Sequence, residues 1–209
     1  MTAIPFQQEI YYPESDGQPM AESDLHRKEM SYLIDSLDDH FAQVPDIYVA
    51  GNLFLYYVKG DPRSVVAPDT FVVKGVPKRD RKVYKLWEEG GKVPCLAVEV
   101  TSDTTRDEDL EKKMSLYERL GVEEYFLFDP LGDYLAPRLQ GYRLVRGRYQ
   151  PLSSRNGSLT SQTTGVTFAL EGKHIRLIET ATGNPLLRRE ELRDENARLR
   201  AEIERLRKT

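Results

Sequence analysis

Apolar positions recur along this chain at three different intervals, and each change of interval marks a change of structure. Past an arm punctuated by Pro and Gly (residues 1–20), Met30, Leu33, Ile34, Leu37 and Phe41 repeat at the helical period and make one stripe. Ser23 stands where an N-cap belongs, so the spacing predicts a helix from there to about Ala42. Tyr48–Val58, Val65–Val73 and Pro94–Thr101 are short runs of β-branched, aromatic and aliphatic residues between Gly, Pro and Asp. They predict three strands. A second helix is expected from Thr104 or Thr105, where Thr105 and Glu108 have capping-box spacing. Leu110, Met114, Tyr117 and Leu120 line one side of it, and Gly121 stops it. Glu124–Phe128 then predicts a fourth strand, closed by Asp129-Pro130.

From Tyr142 the interval shortens to that of hairpins. Tyr142–Val145 and Arg148–Leu152 flank Arg146-Gly147, and Val166–Leu170 and His174–Ile178 flank Glu171-Gly172-Lys173. Helix, three strands, helix and strand in that order predict an α/β arrangement, a mixed sheet with helices packed on it. The hairpins would extend or flank the same sheet, giving one domain over residues 21–183. The last segment, 184–209, is of another kind. Leu192, Leu199 and Leu206 stand seven apart, with Asn196 and Ile203 at the complementary heptad position and Arg189 before them. The pattern suits a short parallel coiled coil joining two copies into a homodimer. It also suits a charged helix solvated alone, and the sequence leaves both open.

Composition narrows the class. The 209 residues are 31% charged and 39% hydrophobic with a net charge of −4, which is globular rather than disordered. The single cysteine, Cys95, lies in an apolar run and excludes a disulfide framework. No apolar run approaches the ~20 residues of a membrane span, and the N-terminus lacks the basic-then-apolar order of a signal. A cytoplasmic protein with no membrane partner is expected. The negative net charge argues against a broad basic surface, so contact with nucleic acid would need local positive patches. One such segment, Lys74–Lys92, holds seven basic residues against three acidic ones, with Tyr84 and Trp87 interleaved. It reads as a gripping loop or as a solvated loop pinned by Trp87.

Two carboxylates change the picture most. Glu99 interrupts Leu96–Val100, a run that otherwise reads as a core strand, and Asp69 follows Pro68 among apolar residues. A Pro-Asp pair alone is commonly a turn, but a buried carboxylate needs a partner. Two of them on neighbouring strands make a site for a hard divalent cation such as Mg2+ or Mn2+. Asp109, Lys113 and Tyr117 are spaced four apart and share a helical face, which by itself describes an ordinary surface ion pair. Lys112 points about a quarter-turn away. His26 falls in register with the first helix's apolar stripe, as a core histidine or a site residue, and Glu22 and Glu29 lie on or near that helix. The histidines and Cys95 lack zinc-ligand spacing, and no nucleophile elbow or phosphate-binding glycine loop is present.

Taken together, Pro68-Asp69, Glu99-Val100-Thr101-Ser102 and the run from Asp109 through Lys113 and Tyr117 to GVEEYFLFDP resemble the PD-(D/E)XK nuclease superfamily. The closer resemblance is to the Uma-two family, a domain of unknown function assigned to restriction endonucleases, over roughly Met20 to Gly183. His26 and Thr182-Gly183 fit it too. One departure stands out: the superfamily's lysine belongs two residues after the glutamate, where this chain has Thr101. In the family the role moves to the next helix, which nominates Lys113. The resemblance implies a restriction-endonuclease-like mixed sheet flanked by helices. It also implies a metal-dependent endonuclease acting on DNA and leaving a 5′-phosphate. Asp69, Glu99 and the Val100 carbonyl would hold Mg2+ or Mn2+, and Lys113 would assist the attacking water or the transition state. The alternative is a degenerate nuclease fold that binds nucleic acid or protein and assembles through its C-terminal helix.

Overall fold

Ser23 caps the first helix as its residue type requires, its hydroxyl accepting from the His26 backbone N–H at 3.1 Å. The computed structural model describes residues 10–15, 17, 23–102 and 108–208. Helix α1 spans Asp24–His40 and buries Tyr32, Leu33 and Leu37. Met30 and Ile34, on the flank of the stripe, are half-buried.

Six strands form the main sheet: β1 Ile47–Ala50, β4 Thr70–Lys74, β6 Leu96–Val100, β7 Glu124–Phe128, β8 Leu139–Val145 and β9 Arg148–Pro151, lying in that order across it. The central pair, β6 and β7, is parallel, and every other neighbouring pair is antiparallel. All ten residues of β6 and β7 are buried, as expected of strands covered on both faces.

Two of the expected strands are each broken in two. Tyr48–Val58 divides into β1 and β2 (Leu55–Tyr56), and Val65–Val73 into β3 (Val65–Val66) and β4. Strands β3 and β2, with β5 (Tyr84–Lys85), make a separate three-stranded sheet. The first break falls at Gly51, where a Cβ would collide with the Asp69 carbonyl oxygen and the Ile34 side chain. Only glycine lets the chain turn there, and the Asn52 N–H then donates to the Pro68 carbonyl at 2.8 Å. The second break, at Pro68-Asp69, puts Asp69 at the entry to β4 rather than at a strand's end.

The expected hairpins form, with β11 (Val166–Glu171) paired to β12 (His174–Glu179). The sequence did not announce β10 (Ser158–Ser161), which joins them in a second three-stranded sheet. That sheet and α1 share one core with Val98, Val100, Phe126 and Phe128. On the opposite face, Ala97, Tyr125 and Leu127 meet Tyr117 and Val122 together with the small β3-β2-β5 sheet. The alternation along β6 assigns Glu99 to that second face, beneath the second helix.

The second helix opens with a π-helical turn, Glu108–Lys113, and continues as α2, Met114–Leu120. Its expected cap at Thr104 or Thr105 lies outside the described residues. Gly121 ends it at φ 88°, as the stop signal predicted. Helix α3, Arg189–Arg207, buries none of its residues. No helix of the described residues is long and apolar enough to cross a membrane.

Candidate active site

Continuing the β4–β6 register, in which Thr70 pairs with Val98, sets Asp69 opposite Glu99. The two are cross-linked through the backbone: the Val100 N–H donates to Asp69 Oδ2 at 2.7 Å, and the Asp69 N–H to Glu99 Oε2 at 3.2 Å. The helix above completes the cluster. Lys113 Nζ donates to Glu99 Oε2 at 2.9 Å and lies 3.0 Å from Asp109 Oδ1, while the Tyr117 hydroxyl donates to Glu99 Oε1 at 2.8 Å. The four-residue spacing of Asp109, Lys113 and Tyr117 thus turns toward the strand ends. Thr101, in the place of the superfamily's lysine, is buried and donates its N–H to Phe128. Lys112 is exposed.

From α1, the His26 ring is buried with Nε2 3.3 Å from Asp69 Oδ2. It is therefore both a core histidine and a neighbour of the site. Glu29 is neither free nor near the cluster. It accepts from the Ile175 N–H at 2.9 Å and from both guanidinium nitrogens of Arg188 at 3.1 and 2.9 Å, with His174 Nδ1 2.6 Å away. Glu29 instead ties α1 to β12 and to the chain entering α3. Glu22 lies outside the described residues.

Electrostatically the cluster is short of positive charge. Glu99 is wholly buried, and burial together with the Asp69 and Asp109 carboxylates pushes its pKa up to about 8 against the pull of Lys113. Burial works against the Lys113 ammonium, but Glu99, Asp109 and Asp69 outweigh it and hold the amine charged, its pKa raised. Burial, then Glu99, keeps Tyr117 in its neutral, donating form. Among the described residues, three carboxylates gather about one ammonium, with the His26 ring beside Asp69. The donors are hard oxygens, the kind Mg2+ and Mn2+ take. Among the described residues no set of three or more His, Cys, Asp or Glu stands ready as a complete ligand shell. The protein's share would be two carboxylates and a carbonyl, which suits a cation that keeps waters and takes substrate oxygens.

Asp69, Glu99 and Lys113, nominated separately by sequence, are thus brought together around the Glu99 carboxylate, which accepts from the Asp69 N–H and from Lys113. Asp109, Tyr117 and His26 join them without having been assigned roles. The spacing of four from Asp109 to Tyr117 was the signal for two of them.

A mixed sheet with paired strand ends under a lysine-bearing helix is a restriction-endonuclease-like nuclease fold. The same fold occurs in a solved structure from Anabaena variabilis titled a "putative nuclease belonging to DUF820". That structure is 14% identical, with a TM-score of 0.52 over 70% of this chain and 76% of the other. Residues 2–171 match the model of the Uma2 family, described as "Putative restriction endonuclease". The chain belongs to that family. No curated protein matches it.

Proposed function

We propose that the protein is a divalent-metal-dependent endonuclease that hydrolyses phosphodiester bonds of DNA. The observation that carries this reading is the convergence of hard oxygen donors at the paired strands, where the buried Glu99 carboxylate lies against Asp69 and shares Lys113 with Asp109. Asp69 and Glu99 would hold Mg2+ or Mn2+. The Val100 N–H points at Asp69, and a strand residue's carbonyl leaves on the same side as its N–H, which makes that carbonyl the third ligand. When bound, such a cation lowers the pKa of an attacking water and neutralises charge building on the phosphate. Lys113 offers N–H donors to that water or to the phosphate oxygen on which charge develops. Tyr117 fixes the Glu99 carboxylate through Oε1, and His26 braces Asp69 from behind. With Mn2+ the wild-type protein is expected to nick plasmid DNA. Asp69→Ala, shown folded by circular dichroism, should lose about a thousandfold or more, and Lys113→Ala about a hundredfold. A wild type that binds no Mn2+ by calorimetry and nicks no faster than Asp69→Ala ends the reading.

A second copy of the chain belongs to the same proposal. With Leu192, Leu199 and Leu206 at heptad position d and Asn196 and Ile203 at a, Glu195 and Glu202 fall at g and Arg193, Arg200 and Arg207 at e. Parallel pairing brings Glu195 to the second copy's Arg200 and Glu202 to its Arg207. Antiparallel pairing would set Glu against Glu and Arg against Arg. The helix start is anchored, since Arg176 grips Glu191 at 2.7 and 2.8 Å, so folding of α3 need not nucleate in isolation. An Asn196→Cys chain should form a disulfide dimer under mild oxidation. A sedimentation equilibrium showing only monomer at tens of micromolar rejects the pairing.

A further inference from the structure

Most of the cations that the sequence offers for gripping nucleic acid are engaged within the protein. In the segment from Lys74 to Lys92, Arg79 and Arg81 both hold Glu89, at 2.6 and 2.8 Å, Lys78 pairs with Asp38, Lys82 with Glu14 and Lys85 with Glu88. Its Tyr84 is fully buried, and Trp87 packs on Tyr12 with ring centroids 5.1 Å apart. That segment is a pinned loop with five of its seven cations paired and Lys74 and Lys92 left exposed at its two ends.

A different set of cations stands beside the candidate site. Between α2 and the β2–β3 ribbon runs a groove of about 630 Å³. Lys113 lines it at its inner end and Lys112 and Arg119 along one wall, with Phe54 and Tyr57 on the other. The lining holds these three cations and no carboxylate among the described residues, in a chain whose net charge is −4. Lys112 and Arg119 are exposed and have no ion-pair partner among the described residues. They are seven residues apart, so they project from one side of the helix about 10 Å apart. Phe54 and Tyr57 are half-buried and line the groove.

A row of cations opposite aromatic rings is the chemistry of a single nucleic-acid strand: phosphates meet the cations and base faces meet the rings. A continuous duplex hides its base faces in its own stack, so it could use only half of this surface. We propose that the groove binds a single-stranded stretch of DNA flanking the scissile phosphate. The preferred substrate is then a single strand, or a duplex with an unpaired segment, rather than a continuous duplex. The position of the groove relative to the cut rests on Asp69 and Glu99 being the cleavage site; strand binding itself does not.

Binding is measured on the full chain in EDTA, by anisotropy of a fluorescein-labelled 15-mer of dT and by fluorescence of single-stranded oligonucleotides carrying 2-aminopurine. Lys112→Ala and Arg119→Ala should each weaken binding severalfold and lower the slope of log K on log salt by about 0.7. Tyr57→Ala should weaken it about tenfold and abolish the 2-aminopurine response, while the paired loop cations, tested as Arg79→Ala and Lys82→Ala, should change little. A blunt duplex bound as tightly as the single strand, or loop variants that weaken binding more than groove variants, overturns the proposal. The nuclease reading is scored separately with Mn2+. Strand binding without cleavage keeps the groove and removes the nuclease, and cleavage indifferent to Lys112→Ala, Arg119→Ala and Tyr57→Ala does the reverse.

Discussion

Glu99 and Glu124 sit on adjacent parallel strands, and both are wholly inaccessible to solvent. Their surroundings set them apart. Glu124 accepts twice from Arg143, at 2.9 and 2.7 Å, from the Ser161 and Thr163 hydroxyls and from the Gln162 and Thr163 N–H groups. Burial would raise its pKa, but those donors outweigh burial and lower it. Glu99 accepts from the Asp69 N–H, Lys113 and Tyr117, half as many hydrogen bonds among the described residues, and two further carboxylates crowd it, so its pKa is pushed up to about 8. Burial of a charge therefore does not mark a site. Burial of charge that its neighbours leave unbalanced does, and a divalent cation is one remedy.

The largest effect that can break this contrast is on cleavage. Glu99→Gln keeps the shape of the side chain and the fold but should reduce Mn2+-dependent nicking about a thousandfold or more. Glu124→Gln should leave nicking per folded molecule within about twofold. It should cost about 2–4 kcal/mol of stability in urea, because Arg143 loses its carboxylate. If Glu124→Gln silences cleavage as Glu99→Gln does, in protein equally folded, the two acids share one role and the contrast is empty.

Next in size is the pH dependence of stability. Between the ordinary carboxylate range and pH 8 the native state keeps a proton on Glu99 that the unfolded chain has released. The native state then binds more protons, so stability falls as pH rises through that window. Metal-free wild type should lose on the order of 2–4 kcal/mol between pH 5 and pH 8 relative to Glu99→Gln. Mn2+ should restore more of it at pH 8 than at pH 5, since binding displaces the proton. Urea melts at both pH values decide the matter: parallel slopes for the two proteins place the titration elsewhere.

Glu99 was legible in the sequence because it broke an apolar run, and Asp69 because of what surrounds it. Lys113 and Tyr117 were legible because a helix keeps its four-residue spacing even through a π-helical turn. Glu124 was not singled out, since its partners lie some twenty to forty residues away, Arg143 in a segment read only as a hairpin and Ser161, Gln162 and Thr163 in one where no element was expected. The role of Glu29 stayed open for the same reason: Arg188, 159 residues distant, leaves no trace beside it. The split strands have a comparable origin. The apolar pattern runs on through Leu53 and Phe54, and only the approach of Gly51 to the Asp69 carbonyl explains why the chain leaves the sheet. The groove is assembled from the N-terminal arm, the β2–β3 ribbon and α2. No single segment of the groove holds both its rings and its cations, whereas Lys74–Lys92, which holds both kinds of residue, spends most of its cations on ion pairs within the protein.

The smallest effect is the sharpest comparison, because each acid accepts from one buried hydroxyl that can be removed alone. At Glu99 it is Tyr117, at 2.8 Å, and at Glu124 it is Ser161, at 2.5 Å. Tyr117→Phe deletes one donor to a carboxylate already short of compensation. The Glu99 pKa should rise further, and nicking at pH 7 should fall about three- to tenfold and recover partly at pH 9. Ser161→Ala deletes a donor from a carboxylate that keeps Arg143, Thr163 and Gln162, so it should cost about 1 kcal/mol of stability and leave the pH profile of nicking unmoved. A shift in that profile with Ser161→Ala, or none with Tyr117→Phe, would mean that the charge balance around Glu99 does not set its chemistry.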